Sequence, residues 1–489
     1  MIAKIRSFLF ENKTARQTVA KNTFWLAVSQ LGSRLIRAAI IIYAARILGA
    51  SEYGVFSYAL GLAGFFTLFA DIGIIQLLTR ETAGHSENRQ AYFTNSFWLK
   101  SLLLLFTVLL VVFVAPHFSN IQEAAALIPL VALLVIFDGI REFSIGYLRG
   151  LEKMEWEALI VTFMNVVIAV AGFIILQFSV SARALFHAYI ASVGAAALLS
   201  AIILRKQFIQ IFKNIDAQLM KKIAASAWPI AFAGMLGIFM LNTDIIMLGW
   251  WRGAQEIGYY SAGQRIVQVL YTIPALLASG IFPILSRFSN RGEQEREREL
   301  NEKSFSFAYM VAIPLVTGGI ILARPIIELV FGAEYLPTVP AFQILIATLL
   351  ITFPTILLSN LVIAHNQQRQ TFWFMGVGSL GNVFFNALLI PPFGIVGSSV
   401  ATIGAQLLNT TLIWRYMKRV VQFSVLSRLL KIITASALMG VFSFLSNTLG
   451  VHVLITIALS AILYFAVLWA ARDKTFSEAK SMVPLLNRF

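Results

Sequence analysis

Arg34 and Arg37 stand three residues apart inside one apolar run, while Lys100 and Arg141 stand inside two others. A charge at a bilayer centre costs about 2.5–3.5 kcal/mol on insertion scales, so each of these needs a reason. The i, i+3 spacing puts Arg34 and Arg37 on one helical face. What such a set could do is hold an anion. A cationic, water-filled cavity attracts phosphate-type groups, and arginine adds planar, bidentate contacts. Asp138 and Glu142 share the run of Arg141, and Asp71 stands in the run between those of Arg37 and Lys100. At about 1.5 Å of rise per residue, Arg34 lies roughly 16 Å and Arg37 roughly 21 Å from the inner end of its span. Lys100, Asp71 and Arg141 lie roughly 10–14 Å from the same side, with Asp138 somewhat deeper. The depths overlap, so one cavity could hold them all. The structural alternative is pairing that locks helices together, and Asp71 or Asp138 could instead carry a coupling proton. Asp244 and Arg265, roughly 9–10 Å from the outer surface, suggest an ion pair across adjacent helices. Asn165, His187, Asn382, Asn386 and Gln406 could meet hydroxyl groups, although interhelical hydrogen bonds are the plainer reading.

The elements that must position these residues are membrane helices. The chain has 489 residues, 58% hydrophobic and 12% charged, with a mean hydropathy of +0.80, which excludes an ordinary soluble globular protein. Apolar windows give about fourteen spans, from 23–45 and 54–78 to 429–448 and 451–471, each near the 20 residues a bilayer requires. The fold class is therefore all-α, integral to the membrane. There are no cysteines, which excludes disulfides, thiolate metal sites and cysteine catalysis. No metal and no cofactor is expected. Met1 to Lys21 lacks the apolar core of a cleavable signal peptide. Ile2, Ile5, Phe8 and Leu9 beside Lys4 and Arg6 suggest a short amphipathic helix on the cytoplasmic surface.

Basic residues orient the spans. With the N-terminus inside, 29 of the 38 Lys and Arg fall in inside segments. Arg46, Arg183, Arg252 and Arg324 fall outside, and Arg34, Arg37, Lys100, Arg141 and Arg265 fall within spans. A missed or invented helix would destroy this alternation, so both termini are expected in the cytoplasm of a plasma (inner) membrane protein. The net charge of +15 then faces anionic lipid head groups, and nucleic acid is not an expected partner. Eight of the nine tryptophans lie within a few residues of a span end, where indole prefers the interface; Trp98 is the exception.

The stretch Gly49-Ala-Ser-Glu-Tyr-Gly-Val-Phe-Ser57 recurs as Gly253-Ala-Gln-Glu-Ile-Gly-Tyr-Tyr-Ser261, in outside breaks after spans one and seven. Six helices separate the copies, so the chain reads as two parallel six-helix lobes around a central cavity. The expected organisation is a cytoplasmic segment at 1–22, an N-terminal lobe at 23–204 and a linker at 205–223. A C-terminal lobe at 224–418, two additional helices at 419–471 and a cytoplasmic tail at 472–489 follow. Pro229, Pro274, Pro283, Pro314 and Pro354 fall in second-lobe spans, as fixed kinks or as points of bending.

Three motif groups carry a family resemblance. Arg46-Ile-Leu-Gly-Ala-Ser-Glu-Tyr-Gly-Val-Phe-Ser57, then Asp71-Ile-Gly-Ile and Thr79-Arg-Glu81, resembles the opening of the Wzx-like polysaccharide flippases. Asn242-Thr-Asp-Ile-Ile-Met-Leu-Gly249 with Gly258-Tyr-Tyr-Ser-Ala-Gly263 resembles their seventh and eighth helices. Asn382 through Ile390-Pro-Pro-Phe-Gly-Ile-Val-Gly397 resembles their eleventh and twelfth. The likeness covers roughly residues 15 to 415. It implies the multidrug/oligosaccharidyl-lipid/polysaccharide exporter superfamily, whose Wzx-like branch flips polyprenyl-diphosphate-linked oligosaccharides to the outer leaflet. It implies no catalytic residues.

Within that resemblance, the diphosphate head group would meet Arg34, Arg37, Lys100 and Arg141 while the polyprenyl tail stays in lipid. The implied partners are a lipid-linked oligosaccharide, membrane lipids, and a polysaccharide polymerase with its export machinery. Three other readings stay open. A multidrug antiporter of the same superfamily would want an acidic cavity for cationic drugs. A peptidoglycan-precursor flippase is the second. A membrane polymerase or ligase would need a sizeable outside catalytic loop, and the outside gaps 115–124 and 324–338 hold no carboxylate pair with histidine. No Gly-rich phosphate loop is present, so this chain cannot draw on ATP hydrolysis. The energy source stays open among proton, sodium and membrane potential.

Overall fold

The computed structural model describes residues 15–85, 87–118, 120–425, 429–476 and 478, and these are almost entirely helical. The expected surface helix near Ile2 lies outside the described residues. The chain divides into two compact units, residues 1–258 and 259–489.

The first unit contains α1 (Ala15–Ala70), α2 (Ile74–Gly84), α3 (Arg89–Phe113), α4 (Gln122–Ala125), α5 (Ile128–Gly150), α6 (Met154–Phe178), α7 (Ala182–Ile203), α8 (Arg205–Ile209) and α9 (Ala217–Trp251). The start of α10 (Ala254–Leu270) belongs to it as well. The remainder of α10 opens the second unit, followed by α11 (Thr272–Arg291), α12 (Gln294–Ile321), α13 (Ala323–Phe331), α14 (Val339–Ala347), α15 (Leu349–Ala364), α16 (Gln368–Val420), α17 (Leu430–Thr448) and α18 (Val453–Ala470).

Ten helical stretches among the described residues are long and apolar enough to cross a bilayer, so this is a multi-pass membrane protein. The count of fourteen is not reproduced among the described residues, in part because two expected pairs run on as continuous helix. Gly49, at φ 69°, breaks α1 without interrupting it, and Gly394, at φ 55°, does the same in α16 after Pro391 and Pro392. Only glycine takes such left-handed or strained backbone without cost. Helix α5 spans 23 residues, long enough to cross, but carries Asp138, Arg141 and Glu142 in its middle.

The span expected at 54–78 is two helices. Helix α1 stops at Ala70, and α2 begins at Ile74 after Gly73 turns into the left-handed region at φ 79°. The physical reason is Asp71, whose Oδ1 accepts hydrogen bonds from the backbone N–H groups of Ile74 at 3.0 Å and Ile75 at 3.4 Å. A short carboxylate competes with the helix for its own backbone donors, and so starts a new helix.

The repeated stretch is likewise helical rather than a loop. Ala50–Ser57 forms the first turns after the Gly49 break, and Ala254–Ser261 opens α10. Inside the first unit these two helix starts cross at backbone distance. A Cβ on Gly54 would overlap the carbonyl of Ala254, and a Cβ on Gly258 would overlap the carbonyl of Ala50. Small residues four apart on each strand of the crossing permit this approach, as in membrane helix pairs generally.

In the second unit α17 and α18 pack on α12. Met310, Ile432, Ala435, Met439, Tyr464 and Leu468 form the buried seam. Tyr464 donates to the carbonyl of Met310 at 2.7 Å, and Ser443 bonds Ser460 at 2.7 Å, so these buried hydroxyls are paired.

Candidate functional site

The first-unit charges fall into two groups, one between α1 and α6 and one on α3 and α5. Arg37 projects from α1 and its Nε donates to Asn165 Oδ1 of α6 at 3.0 Å. Asn165 is buried, and its own Nδ2 donates to the carbonyl of Val161 at 2.7 Å. Both ends of that amide are therefore fixed, which holds the guanidinium by one nitrogen. Arg34, one turn earlier on α1, is exposed, and Arg37 is half-buried.

Lys100, on α3, is only 3% exposed. The carboxylates whose charges act on it are Asp71, Asp138 and Glu142. Arg141, on α5, is buried beside two of the same groups. Its Nη2 donates to Asp138 Oδ1 at 2.6 Å and to Glu142 Oε1 at 2.7 Å, and its Nε reaches Asp138 at 3.2 Å. All three residues lie on α5, so this pairing neutralises one helix's own charges and does not clamp two helices together. The Arg141 side chain is 9% exposed while Asp138 and Glu142 are 32% and 38% exposed, so the anions are the open side of the triad.

The structure thus separates four cations that look alike in sequence. Lys100 and Arg141 face carboxylates. Arg37 is braced by a neutral amide, and Arg34 lies near the surface of the same helix. A phosphate arriving at α1 would meet the two Nη groups of Arg37, since Nε is committed to Asn165. Asp71 has the capping role described above. Asp244 is buried on α9 in the first unit, while Arg265 belongs to the second and donates to Gln268 Oε1 at 3.3 Å.

Among the other polar candidates, Asn386 donates to Asn382 at 3.1 Å along α16, and Gln406 accepts from Thr352 of α15 at 3.2 Å. The second unit also contains an apolar cavity of about 360 Å³, lined in part by Ile266, Leu270, Pro314, Gly318, Met439 and Tyr464. Such a surface suits an apolar chain and offers a phosphate nothing.

Residues 19–289 match the family described as polysaccharide biosynthesis protein, more than half of the chain. The chain belongs to that family. Residues 229–388 also match the MatE family. A relative named "Probable low-salt glycan biosynthesis flippase Agl15", from Haloferax volcanii, is 23% identical over 89% of this chain and 92% of its own length. The capsular polysaccharide biosynthesis protein CapF of Staphylococcus aureus is 22% identical over 82% of this chain and all of its own. Among solved structures, the lipid II flippase MurJ in an inward closed conformation superposes with a TM-score of 0.74 at 18% identity, covering 91% of this chain and 98% of MurJ. At that identity the likeness is one of fold.

Three contacts in this polysaccharide biosynthesis family member carry no sequence signal. Lys21, wholly buried near the start of α1, bonds Glu155 of α6 at 2.9 Å. Arg149 and Glu157 pair across the α5–α6 turn, Nε to Oε2 at 2.8 Å. His365, after α15, meets buried Glu297 of α12 at 2.6 Å. Glu155 and Glu157 look like ordinary first-turn acids of a helix, and Glu297 sits in a run of mixed charge that reads as solvated helix.

Proposed function

We propose that the chain is a flippase that carries polyprenyl-diphosphate-linked oligosaccharide from the cytoplasmic to the outer leaflet by alternating access. The observation that carries this reading is the Arg34–Arg37 face of α1, with Arg37 braced by Asn165, in a member of the polysaccharide biosynthesis protein family. The glycan flippase and capsular polysaccharide names of its relatives support it. Guanidinium groups bind diphosphate oxygens in pairs, and Arg keeps its charge at any working pH. Asn165 pre-orders one of them, so less freedom is lost when the head group arrives. Lys100 and Arg141, whose charge is matched by Asp71, Asp138 and Glu142, set the field around the site more than they bind. Asp138 and Glu142 are the open carboxylates that a coupling proton could reach. The plasma (inner) membrane with cytoplasmic termini is the setting that the basic loops support, and a polysaccharide polymerase with its export machinery are the downstream partners.

The MatE match over residues 229–388 favours one second reading, an antiporter of small cations. The arginine face of α1 argues against it, since Arg34 and Arg37 would repel a cation. The test is reconstitution in liposomes. A fluorescent polyprenyl-diphosphate oligosaccharide should become accessible in the opposite leaflet only with protein present. Proton-driven accumulation of a cationic dye, without head-group flipping, would replace this reading with the antiporter.

A further inference from the structure

The segment joining α7 to α9, residues 205–216, is held far more firmly than a connector requires. Helix α3 reaches it with side chains at three successive levels. Gln90 Nε2 donates to the carbonyl of Gln207 at 3.1 Å, Trp98 Nε1 to that of Ile211 at 2.8 Å, and Asn95 Nδ2 to that of Asn214 at 3.0 Å. Asn95 Oδ1 accepts in return from the backbone N–H of Asp216 at 2.8 Å. Phe208 packs against Phe93 and Phe97 at ring separations of 5.2 and 5.5 Å, and Phe212 lies 5.6 Å from Trp98. Asn214 makes the turn at φ 61°, and Asp216 caps α9 through Gln218 and Leu219. These contacts also account for Trp98, the tryptophan that stands away from a span end. Its indole N–H is spent on the segment and not on the interface.

The surface that the segment leaves exposed is apolar and basic at once. Ile209, Phe212 and Ile215 are 76%, 72% and 53% exposed, and Arg205, Lys206 and Lys213 are exposed beside them. A segment tied down this thoroughly does not need three exposed large hydrophobic side chains for its own folding. Apolar residues at a membrane's edge, ringed by Lys and Arg, match the acyl–head-group boundary of an anionic leaflet. Lys221 and Lys222 extend the same charge onto α9.

We propose that residues 205–216 form a docking platform for anionic phospholipids of the leaflet that the basic loops face. Ile209, Phe212 and Ile215 enter the acyl boundary, and Arg205, Lys206 and Lys213 hold the phosphodiester head groups. Each such cation contributes about a fivefold preference, the equivalent of about 1 kcal/mol. The platform does not depend on which substrate crosses the membrane.

The chain has no cysteine, so Ile209→Cys can carry a single bimane label. The labelled full chain is reconstituted in phosphatidylcholine vesicles with 30 mol% phosphatidylglycerol, with bromine on the acyl chains of one lipid or the other. Quenching per brominated lipid should be several-fold stronger from brominated phosphatidylglycerol. Adding Arg205→Gln, Lys206→Gln and Lys213→Gln should bring the two lipids level while quenching persists. These three side chains are exposed, and a label at Ile215→Cys provides an independent reading. Equal quenching by both lipids in the otherwise native chain would overturn the anionic selectivity. Absence of quenching by either would overturn the docking itself and leave the face to water or to a protein partner.

Discussion

Replacing Arg34 and Arg37 together by glutamine separates a ligand-binding role from a structural one. Gln Nε2 is bonded to Cδ just as Arg Nε is, so Arg37→Gln keeps a donor where Asn165 Oδ1 now accepts at 3.0 Å. The bond to the buried amide survives and the charge is lost. By contrast Arg37→Ala would orphan that buried oxygen, at about 1–3 kcal/mol. On the binding side, hydrogen bonds to charged groups contribute about 1.5–3 kcal/mol each. Two lost arginines therefore weaken head-group binding by at least about 3 kcal/mol, or roughly 150-fold. The assay is the rate at which a polyprenyl-diphosphate oligosaccharide changes leaflet in liposomes, below saturation, beside a thermal unfolding curve for each variant. The double glutamine variant should unfold near the native temperature and flip at least about 100-fold more slowly. Asn165→Ala should lower stability with a smaller loss of rate. A double variant that flips at close to the native rate would refute the assignment of α1 as the head-group contact. A double variant that fails to fold would refute the separation of roles.

Arg141→Gln removes the partner of Asp138 and Glu142, and breaking a buried pair costs about 3–5 kcal/mol. Both carboxylates are about a third exposed and Lys100 still acts on them, so a cost near the lower bound is expected as a fall in melting temperature, largely reversed by adding Asp138→Asn. Asp71→Asn should keep the cap of α2 and leave stability unchanged, while Asp71→Ala should lose about 1 kcal/mol; equal stability in the two variants would show that the cap does not matter. If Asp71 carries a coupling proton, the asparagine variant should also lose its dependence on a pH gradient in the liposome assay. Gly54→Ala and Gly258→Ala should each lower the melting temperature to a similar extent, since each new methyl meets a backbone carbonyl and such overpacking costs about 1–3 kcal/mol. A neutral result at either position would show that the helix starts part easily.

The helical, membrane-embedded character of the chain is legible because hydropathy is a local property, written at each span in the residues themselves. The intramembrane charges are legible for the same reason, since their cost makes them stand out. Their partners are not. Arg37 finds Asn165 across 128 positions, and no spacing rule along the chain points from one to the other. Arg141 is the reverse case: its carboxylates are at i−3 and i+1, close enough to read, yet whether it turns to them or to Asp71 is decided by packing. The break at Asp71 leaves no hydropathy signal, because an apolar window averages over a single cap, while the cap acts through two hydrogen bonds. The repeat at Gly49 looked like a loop because its polar residues dilute the hydropathy, although Glu52 is used to accept the backbone N–H of Ala182 at 2.6 Å.

The crossing of the repeated stretches has a consequence for how they can change. Position 50 meets position 258 and position 54 meets position 254, so each stretch presents the same patch to the other. This is isologous geometry, the kind that identical subunits adopt about a two-fold axis, here enclosed within a single polypeptide. In a self-complementary patch, the space denied to one glycine is set by the backbone that carries the other. The two glycines therefore form one constraint. A bulkier residue in either copy displaces the helix that bears its counterpart, so neither copy is free to drift alone.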